Sequence, residues 1–413
     1  MEEISYHRRT LGGVLSRASK QFPAVIVTGP RQSGKTTLVR HHFGESHNYC
    51  SLDEPALRDL ATTDPKLLLS RFQPPLILDE IQYSPDLLHY VKLDIDAHRG
   101  EKGRYVITGS QAFPLMRNVT ESLAGRAAVL SLQSMSIAEV EGRPHSNRDW
   151  KDILEQSGTS DDGWQAPSLD EMARWILRGG FPELALNLEV ERHLWQSGYM
   201  QTYLERDVRM LRSVGELRDF QRFLFALAAR TGNPVNYTDL GRDLGVTGKT
   251  VKAWLSVLEA SSQVMTLSPY FSNVGKRLVK RPKNYFLDTG MLGYLLGLES
   301  PQQVLRGIGA GGVFEAAVLG QLYRLLIHRG IEPRLYFWQT SGGHEVDFII
   351  EQGGALIPIE AKMTATPNPR HAAGIEKLQK MLGQKVGKGL VVCLCQERFP
   401  LTRNVDAIPF GSF

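Results

Sequence analysis

Short apolar runs rich in β-branched residues recur along the first third of the chain, at 24–28, 76–79, 104–108 and 127–132, with helical or mixed stretches between them. That alternation predicts an α/β domain on a mostly parallel sheet. A polar, turn-rich stretch at 143–168 reads as a mobile insertion. From Leu169 to about Arg230 the apolar positions follow a helical, amphipathic period, residues 235–300 change character again, and 311–413 return to mixed α/β. Tyr237 to Val246 and Thr247 to Leu255 read as helix, tight turn, helix, with Gly245 in the turn and Thr247 capping the second helix. Leu240, Leu244, Val251, Leu255 and Leu258 form the stripe that packs the two helices together. Two strands, Val264 to Leu267 and Asn284 to Leu287, then complete the pattern of a winged helix. The resulting divisions are 1–135, 136–230, 231–300 and 301–413, with no internal repeat and no low-complexity segment.

Composition narrows the class without naming a partner. The 413 residues suffice for two or three cores, and 42% hydrophobic with 22% charged residues is ordinary for a globular chain. The net charge is only +4, from 48 basic and 44 acidic residues. Cys393 and Cys395 alternate as one face of a buried strand, and with Cys50 they make a sparse, odd set without metal-ligand spacing. Few cysteines, no apolar leader and no run of about 18 apolar residues predict a cytoplasmic protein with no membrane partner.

The sharpest chemistry is at Gly29-Pro30-Arg31-Gln32-Ser33-Gly34-Lys35-Thr36-Thr37, directly after the first apolar run and opening a helix. This is a phosphate loop: its glycines let successive N–H groups turn inward, Lys35 reaches the β/γ-phosphates and the Thr36 hydroxyl meets Mg²⁺. The helix N-terminus adds partial positive charge, so ATP with Mg²⁺ is the expected ligand. Leu76-Ile77-Leu78-Asp79-Glu80 ends a strand in two acids, Asp79 to support the metal and Glu80 to polarise the attacking water. Thr108-Gly109-Ser110 ends another strand, where Ser110 or Thr108 can contact the γ-phosphate or the water. Arg126, with Arg117 as competitor, is the candidate arginine finger, which needs a neighbouring subunit and so predicts a homo-oligomeric ring, expected as a hexamer.

Together with Arg178-Gly179-Gly180-Phe181-Pro182-Glu183, Tyr203-Leu204-Glu205-Arg206-Asp207-Val208 and Tyr285-Phe286-Leu287-Asp288-Thr289-Gly290, these motifs resemble AAA-type ATPases that carry a C-terminal domain of unknown function. The resemblance runs nearly end to end and implies an AAA-type P-loop core followed by a helical lid.

Two further features bear on what ATP hydrolysis is used for. Lys249 and Lys252 face outward on the second helix of the helix-turn-helix, and Lys276, Arg277, Lys280, Arg281 and Lys283 form a basic connection without an acid. Such a surface can track DNA phosphates without reading sequence, while winged helices with solubilising loops also serve as protein-binding modules. In the last domain, Asp347 and Glu360 fall on neighbouring strands of a hairpin turned by Gly353-Gly354, with Lys362 on the Glu360 face and Glu315 on an apolar helix. Asp347 and Glu360 can converge on one Mg²⁺ while Lys362 orients water for phosphodiester attack. The set resembles the PD-(D/E)XK nuclease superfamily, which implies a restriction-endonuclease-like α/β domain, active or vestigial. The alternative is cross-strand ion pairing on a solvated face. The expected function is an ATPase acting on DNA, branched or single-stranded. The alternative is a regulatory or signalling ATPase whose C-terminal domain binds a protein. A small-molecule kinase fits poorly, because Asp79-Glu80 suits water activation.

Overall fold

Ala24–Thr28 is apolar or β-branched throughout and buried throughout, as a strand covered on both faces must be. The structure, a computed structural model, describes residues 6–110, 122–144, 148–158, 164–202, 217–271 and 281–413. Its first sheet has the order β2-β3-β4-β1-β5 and is parallel throughout, with β1 Ala24–Thr28, β2 Asn48–Ser51, β3 Leu76–Asp79, β4 Tyr105–Thr108 and β5 Ala127–Ser131. Alternate residues separate the faces. Ala24, Ile26, Leu76, Leu78 and Ile107 pack on one side, against α3 Pro55–Thr63, α4 Pro65–Arg71 and α5 Leu87–Ala97. Val25, Val27, Ile77 and Val106 pack on the other, against α1 Leu11–Ser19 and α2 Lys35–Phe43. Because β4 lies between β1 and β3, the ends of all three strands meet at one edge, the usual ligand edge of a parallel sheet.

Helices follow: α6 Ile137–Val140, α7 Trp150–Gln156, α8 Leu169–Arg178, α9 Pro182–Leu186, α10 Arg192–Thr202 and α11 Leu217–Ala228. The expectation of a turn-rich insertion over 143–168 is corrected by α7. Asp149 caps this helix by accepting from the Lys151 N–H at 2.8 Å, and Trp150, Ile153 and Leu154 bury one helical face at the i, i+3, i+4 spacing. Polar flanks hid that short apolar set.

The helix-turn-helix consists of α12 Tyr237–Leu244 and α13 Gly248–Ala260. Gly245 takes φ 75° at the turn, Thr247 Oγ1 accepts from the Thr250 N–H at 3.1 Å, and the five stripe residues are buried. Two strands then pair antiparallel, β6 Val264–Pro269 and β7 Lys283–Phe286. This hairpin is not a free wing. Ser268 and Pro269 pair with Tyr336 and Phe337, which makes it the edge of an eight-stranded sheet of order β12-β13-β11-β10-β9-β8-β6-β7. The other strands are β8 Leu335–Gln339, β9 Glu345–Gln352, β10 Ala355–Ala361, β11 Gly389–Cys393, β12 Phe399–Thr402 and β13 Val405–Pro409.

After β7 come α14 Thr289–Leu295, α15 Pro301–Arg306, α16 Ala310–Ile327 and, past β10, α17 Ala373–Leu382. One hydrophobic core runs from Ile137 through α8, α11 and α13 to α16 and on to Phe348, Ile359 and Val392, so the helical middle and the last sheet share an interior. Ile349, Val391, Cys393 and Cys395 face the opposite core with Ile375 and Leu378 of α17. The helix α16 is long and apolar enough by length and composition to cross a membrane, but Glu315, Gln321 and Arg324 interrupt its apolar positions and 67% of it is buried inside the protein.

Candidate functional site

The loop between β1 and α2 is built for close approach. A side chain on Gly29 would meet the Leu132 carbonyl at 2.0 Å, and φ is 139° at Gly29 and 91° at Gly34, where only glycine is comfortable. Pro30 and Ser33 are buried, Arg31 is half-buried, and Gln32 and Thr37 are exposed at the loop rim. The Lys35 ammonium donates to the carbonyls of Gly29 at 3.2 Å and Pro30 at 2.8 Å, inside the curl of the loop. Thr36 Oγ1 donates to Asp79, 3.0 Å from each carboxylate oxygen.

Asp79 is buried and also receives the hydroxyls of Tyr49, at 2.7 Å, and Thr108. Burial, and then the Asp79 carboxylate beside it, push the Tyr49 hydroxyl well above the ordinary tyrosine range, so it is a fixed donor. The next residue, Glu80, adopts φ 59°, ψ 44°. Holding a non-glycine residue there costs about 1–2 kcal/mol. The turn aims consecutive acids apart: Asp79 at Thr36, and Glu80 at the amide of Gln82. Gln82 also donates to Ser110 Oγ at 3.1 Å and accepts from the Ser110 N–H at 3.3 Å, so Glu80, Gln82 and Ser110 form one chain. Lys35, Thr36, Asp79, Glu80 and Ser110 therefore meet at one edge, with Thr108 bracing Asp79. Thr36 and Asp79 present hard oxygen donors side by side, which fits Mg²⁺; when bound, that ion neutralises phosphate charge.

Arg126 lies elsewhere. Its guanidinium is bidentate on Asp96 at 2.8 and 3.0 Å, across from the phosphate loop's strand end. Arg117 lies outside the described residues.

The second candidate site forms in the last sheet. Gly353 and Gly354, at φ 60° and 81°, turn β9 into β10, and the ladder pairs Phe348 with Ile359, which sets Asp347 opposite Glu360. Asp347 Oδ2 accepts from the Ala361 N–H at 2.9 Å, and Glu360 Oε2 from the Asp347 N–H at 3.3 Å. The Lys362 ammonium lies 2.6 Å from Glu360 and 3.5 Å from Asp347. Glu315, from α16, accepts the Tyr285 hydroxyl at 2.9 Å. All four expected residues line one cavity of about 510 Å³, with Lys283, Arg370 and His371 among its cationic and ring-nitrogen groups.

Burial, reinforced by Asp347, pushes the Glu315 carboxyl up to about 7 and the Glu360 carboxyl up to about 8. Burial works to lower Lys362, but Asp347 and Glu360 outweigh it and hold the ammonium above the usual lysine range. Among the described residues no three His, Cys, Asp or Glu side chains gather as a ready-made metal cluster. Mg²⁺ commonly takes one or two carboxylates and keeps its waters, so the Asp347–Glu360 pair fits that ion.

Lys283, expected on the basic connection, is corrected to a buried position: it begins β7, pairs with Glu345 and lies 5.3 Å from the Phe337 ring. Lys249, Lys252 and Arg281 are exposed, while Lys276, Arg277 and Lys280 lie outside the described residues, as do Tyr203 to Val208 of the family motifs. A larger cavity, about 610 Å³, adjoins Trp175 and Gly180, but Arg178 there is spent on the carbonyls of Leu184, Asn187 and Val190. The four expected residues converge in the smaller one. Tyr49, Gln82, Arg370 and His371 escaped the sequence reading as site residues, and Lys283 was expected on the basic connection rather than in this cavity. Only Gln82, two residues after Glu80, carried a local signal.

Similarity to known proteins agrees with the first site. A family profile described as an AAA domain matches residues 21–141, and two domains of unknown function, DUF8612 and DUF4143, match 169–302 and 310–413. Two proteins described as uncharacterized, Rv2008c of Mycobacterium tuberculosis and Mb2031c of Mycobacterium bovis, are each 31% identical over 97% of this chain and 83% of their own length. Among solved structures, the Walker-type ATPase Paby2304 of Pyrococcus abyssi aligns at TM-score 0.43 and 17% identity over 70% of this chain and 96% of that one. A DNA replication initiation factor aligns at TM-score 0.24 and 12% identity, over 60% of this chain and 85% of that one.

Proposed function

The chain belongs to one family with these two mycobacterial proteins and carries an AAA-type ATPase core, and from that premise we propose that its ATP turnover serves work on DNA at the C-terminal carboxylate cleft. In the core, Lys35 and the loop N–H groups bind the phosphates, Glu80 orients and deprotonates the attacking water, and Ser110 steadies Glu80 through Gln82. The ring assembly belongs to the same proposal, with Arg126 leaving Asp96 to reach a neighbouring subunit's nucleotide.

One observation carries the DNA reading: Glu315, Asp347, Glu360 and Lys362, from a helix and two strands, converge on one cavity whose lining also holds Lys283 and Arg370. Two carboxylates to hold Mg²⁺, an ammonium beside them and cations around them suit a phosphodiester better than an uncharged ligand. The exposed Lys249, Lys252 and Arg281 would extend the phosphate track. A protein-binding role is favoured by a different fact, that Lys362 already pairs with both carboxylates.

Cleavage of labelled single-stranded, duplex and branched DNA, with Mg²⁺ or Mn²⁺, distinguishes the two. Asp347→Ala is expected to lose at least about 10²-fold of cleavage while phosphate release from ATP stays at the wild-type rate. Absence of cleavage by the wild type on every form overturns the nuclease reading and leaves the ATPase standing.

A further inference from the structure

Arg9 sits outside every motif above, yet it is 5% exposed, both terminal guanidinium nitrogens donate hydrogen bonds, and the group is ion-paired with Glu139. Nη1 donates to the Ser33 carbonyl of the phosphate loop at 2.7 Å, and Nη2 to the Gln133 carbonyl just beyond β5, also at 2.7 Å. Nε lies 3.2 Å from Glu139. A trans peptide is planar, so its C=O and N–H point in opposite directions. Fixing the Ser33 carbonyl therefore fixes the Gly34 N–H, one of the donors a phosphate loop turns toward its ligand. The guanidinium also packs beside Gly34, 3.5 Å from where a Cβ would stand.

Glu139 is fully buried, with two backbone N–H donors and two ion-pair neighbours. It accepts from the Thr10 N–H at 2.7 Å and the Ser136 N–H at 3.0 Å, and His328 Nδ1 lies 3.3 Å away. His328 caps the C-terminal end of α16. Its Nε2 accepts from the Gln133 N–H at 3.0 Å, so a neutral ring carries its proton on Nδ1, toward Glu139. One turn earlier on the same helix, Arg324 donates to the Ser134 carbonyl at 3.0 Å and the Leu287 carbonyl at 2.8 Å. The chain of contacts runs from the phosphate loop through Arg9, Glu139 and His328 to the helix that carries Glu315.

We propose that Arg9 is a positioning residue for ATP binding and turnover, held in place from the C-terminal helix α16 through Glu139 and His328. The nucleotide site is then incomplete without the C-terminal half of the chain, whether or not that half cuts DNA. A lysine at this position keeps the charge but cannot hold the two carbonyls in one rigid plane while facing Glu139.

The test uses the full-length chain with Arg9→Lys, His328→Gln and the double variant. Calorimetric affinity for ADP is measured alongside kcat and KM for ATP and the thermal midpoint without nucleotide. Arg9→Lys is expected to weaken ADP and raise KM by roughly 10-fold, and His328→Gln by roughly 3-fold. Because both act through one contact chain, the double variant should be no worse than about 2-fold beyond Arg9→Lys alone. A network that merely glues the halves together would lower the midpoint and leave affinity and KM at wild-type values, which overturns the proposal. So would His328→Gln weakening ADP by the same factor whether position 9 is Arg or Lys. If Arg9→Lys does not fold, His328→Gln decides alone: weaker ADP binding with an unchanged midpoint supports the proposal, and unchanged binding overturns it.

Discussion

The two acidic sites of this chain solve opposite electrostatic problems. At the end of β3, Asp79 is buried among the hydroxyls of Thr36, Tyr49 and Thr108, which orient a carboxylate without neutralising it. At the β9–β10 hairpin, Asp347 and Glu360 face each other and share the Lys362 ammonium, and burial still leaves Glu360 and Glu315 with raised pKa values. Taking carboxylates from water costs several kcal/mol each, and Lys362 with Lys283 does not offset three of them. The first site is therefore set to receive a cation with its nucleotide. The second holds protons until a cation or a more basic solution removes them.

Changes that separate the sites sharpen this contrast. The largest effect is expected from Lys35→Ala, which removes the ammonium at the phosphate loop: phosphate release should fall by about 10²–10³-fold, while the hairpin site keeps its divalent-cation affinity by calorimetry. A smaller effect is expected from pH. Between about pH 4.5 and 8 the folded chain keeps protons on Glu315 and Glu360 that the unfolded chain releases, so these groups stabilise most below that window and their contribution is lost as pH rises through it. Glu139 behaves in the opposite sense. Burial opposes its ionisation, but Arg9 and His328 hold it well below the usual carboxylate range, so its contribution is present at neutral pH and is lost only on acidification. Denaturant midpoints in the presence of a chelator should decline from pH 5 to pH 8 in the wild type and decline less in Glu360→Gln; equal slopes would break the contrast.

The difference between the sites also explains what the sequence revealed. The phosphate loop and the Asp79-Glu80 pair are contiguous, so their spacing alone encodes their geometry. The hairpin site was legible because a two-residue glycine turn fixes register, and register sets Asp347 opposite Glu360. Contacts made by tertiary packing left no such trace. Arg9 reaches Gln133 across 124 positions, and Tyr49 reaches Asp79 because two parallel strands happen to be neighbours. The β6–β7 hairpin looked like a wing because antiparallel pairing is a local signal, whereas its parallel seam with β8 joins residues 68 positions apart. Trp150, Ile153 and Leu154 form a helix too short to stand out from its polar surroundings.

Phosphate release from ATP by the full-length wild type and Glu80→Gln, with nucleotide affinity measured on the same samples, probes the assignment of the first site most directly. Glu80→Gln is expected to bind ATP as the wild type does and to release phosphate at least about 10²-fold more slowly, because the carboxylate that deprotonates water is gone while the phosphate cradle is intact. Equal rates from the two proteins would contradict the role given to Glu80 and the hydrolytic site built around it.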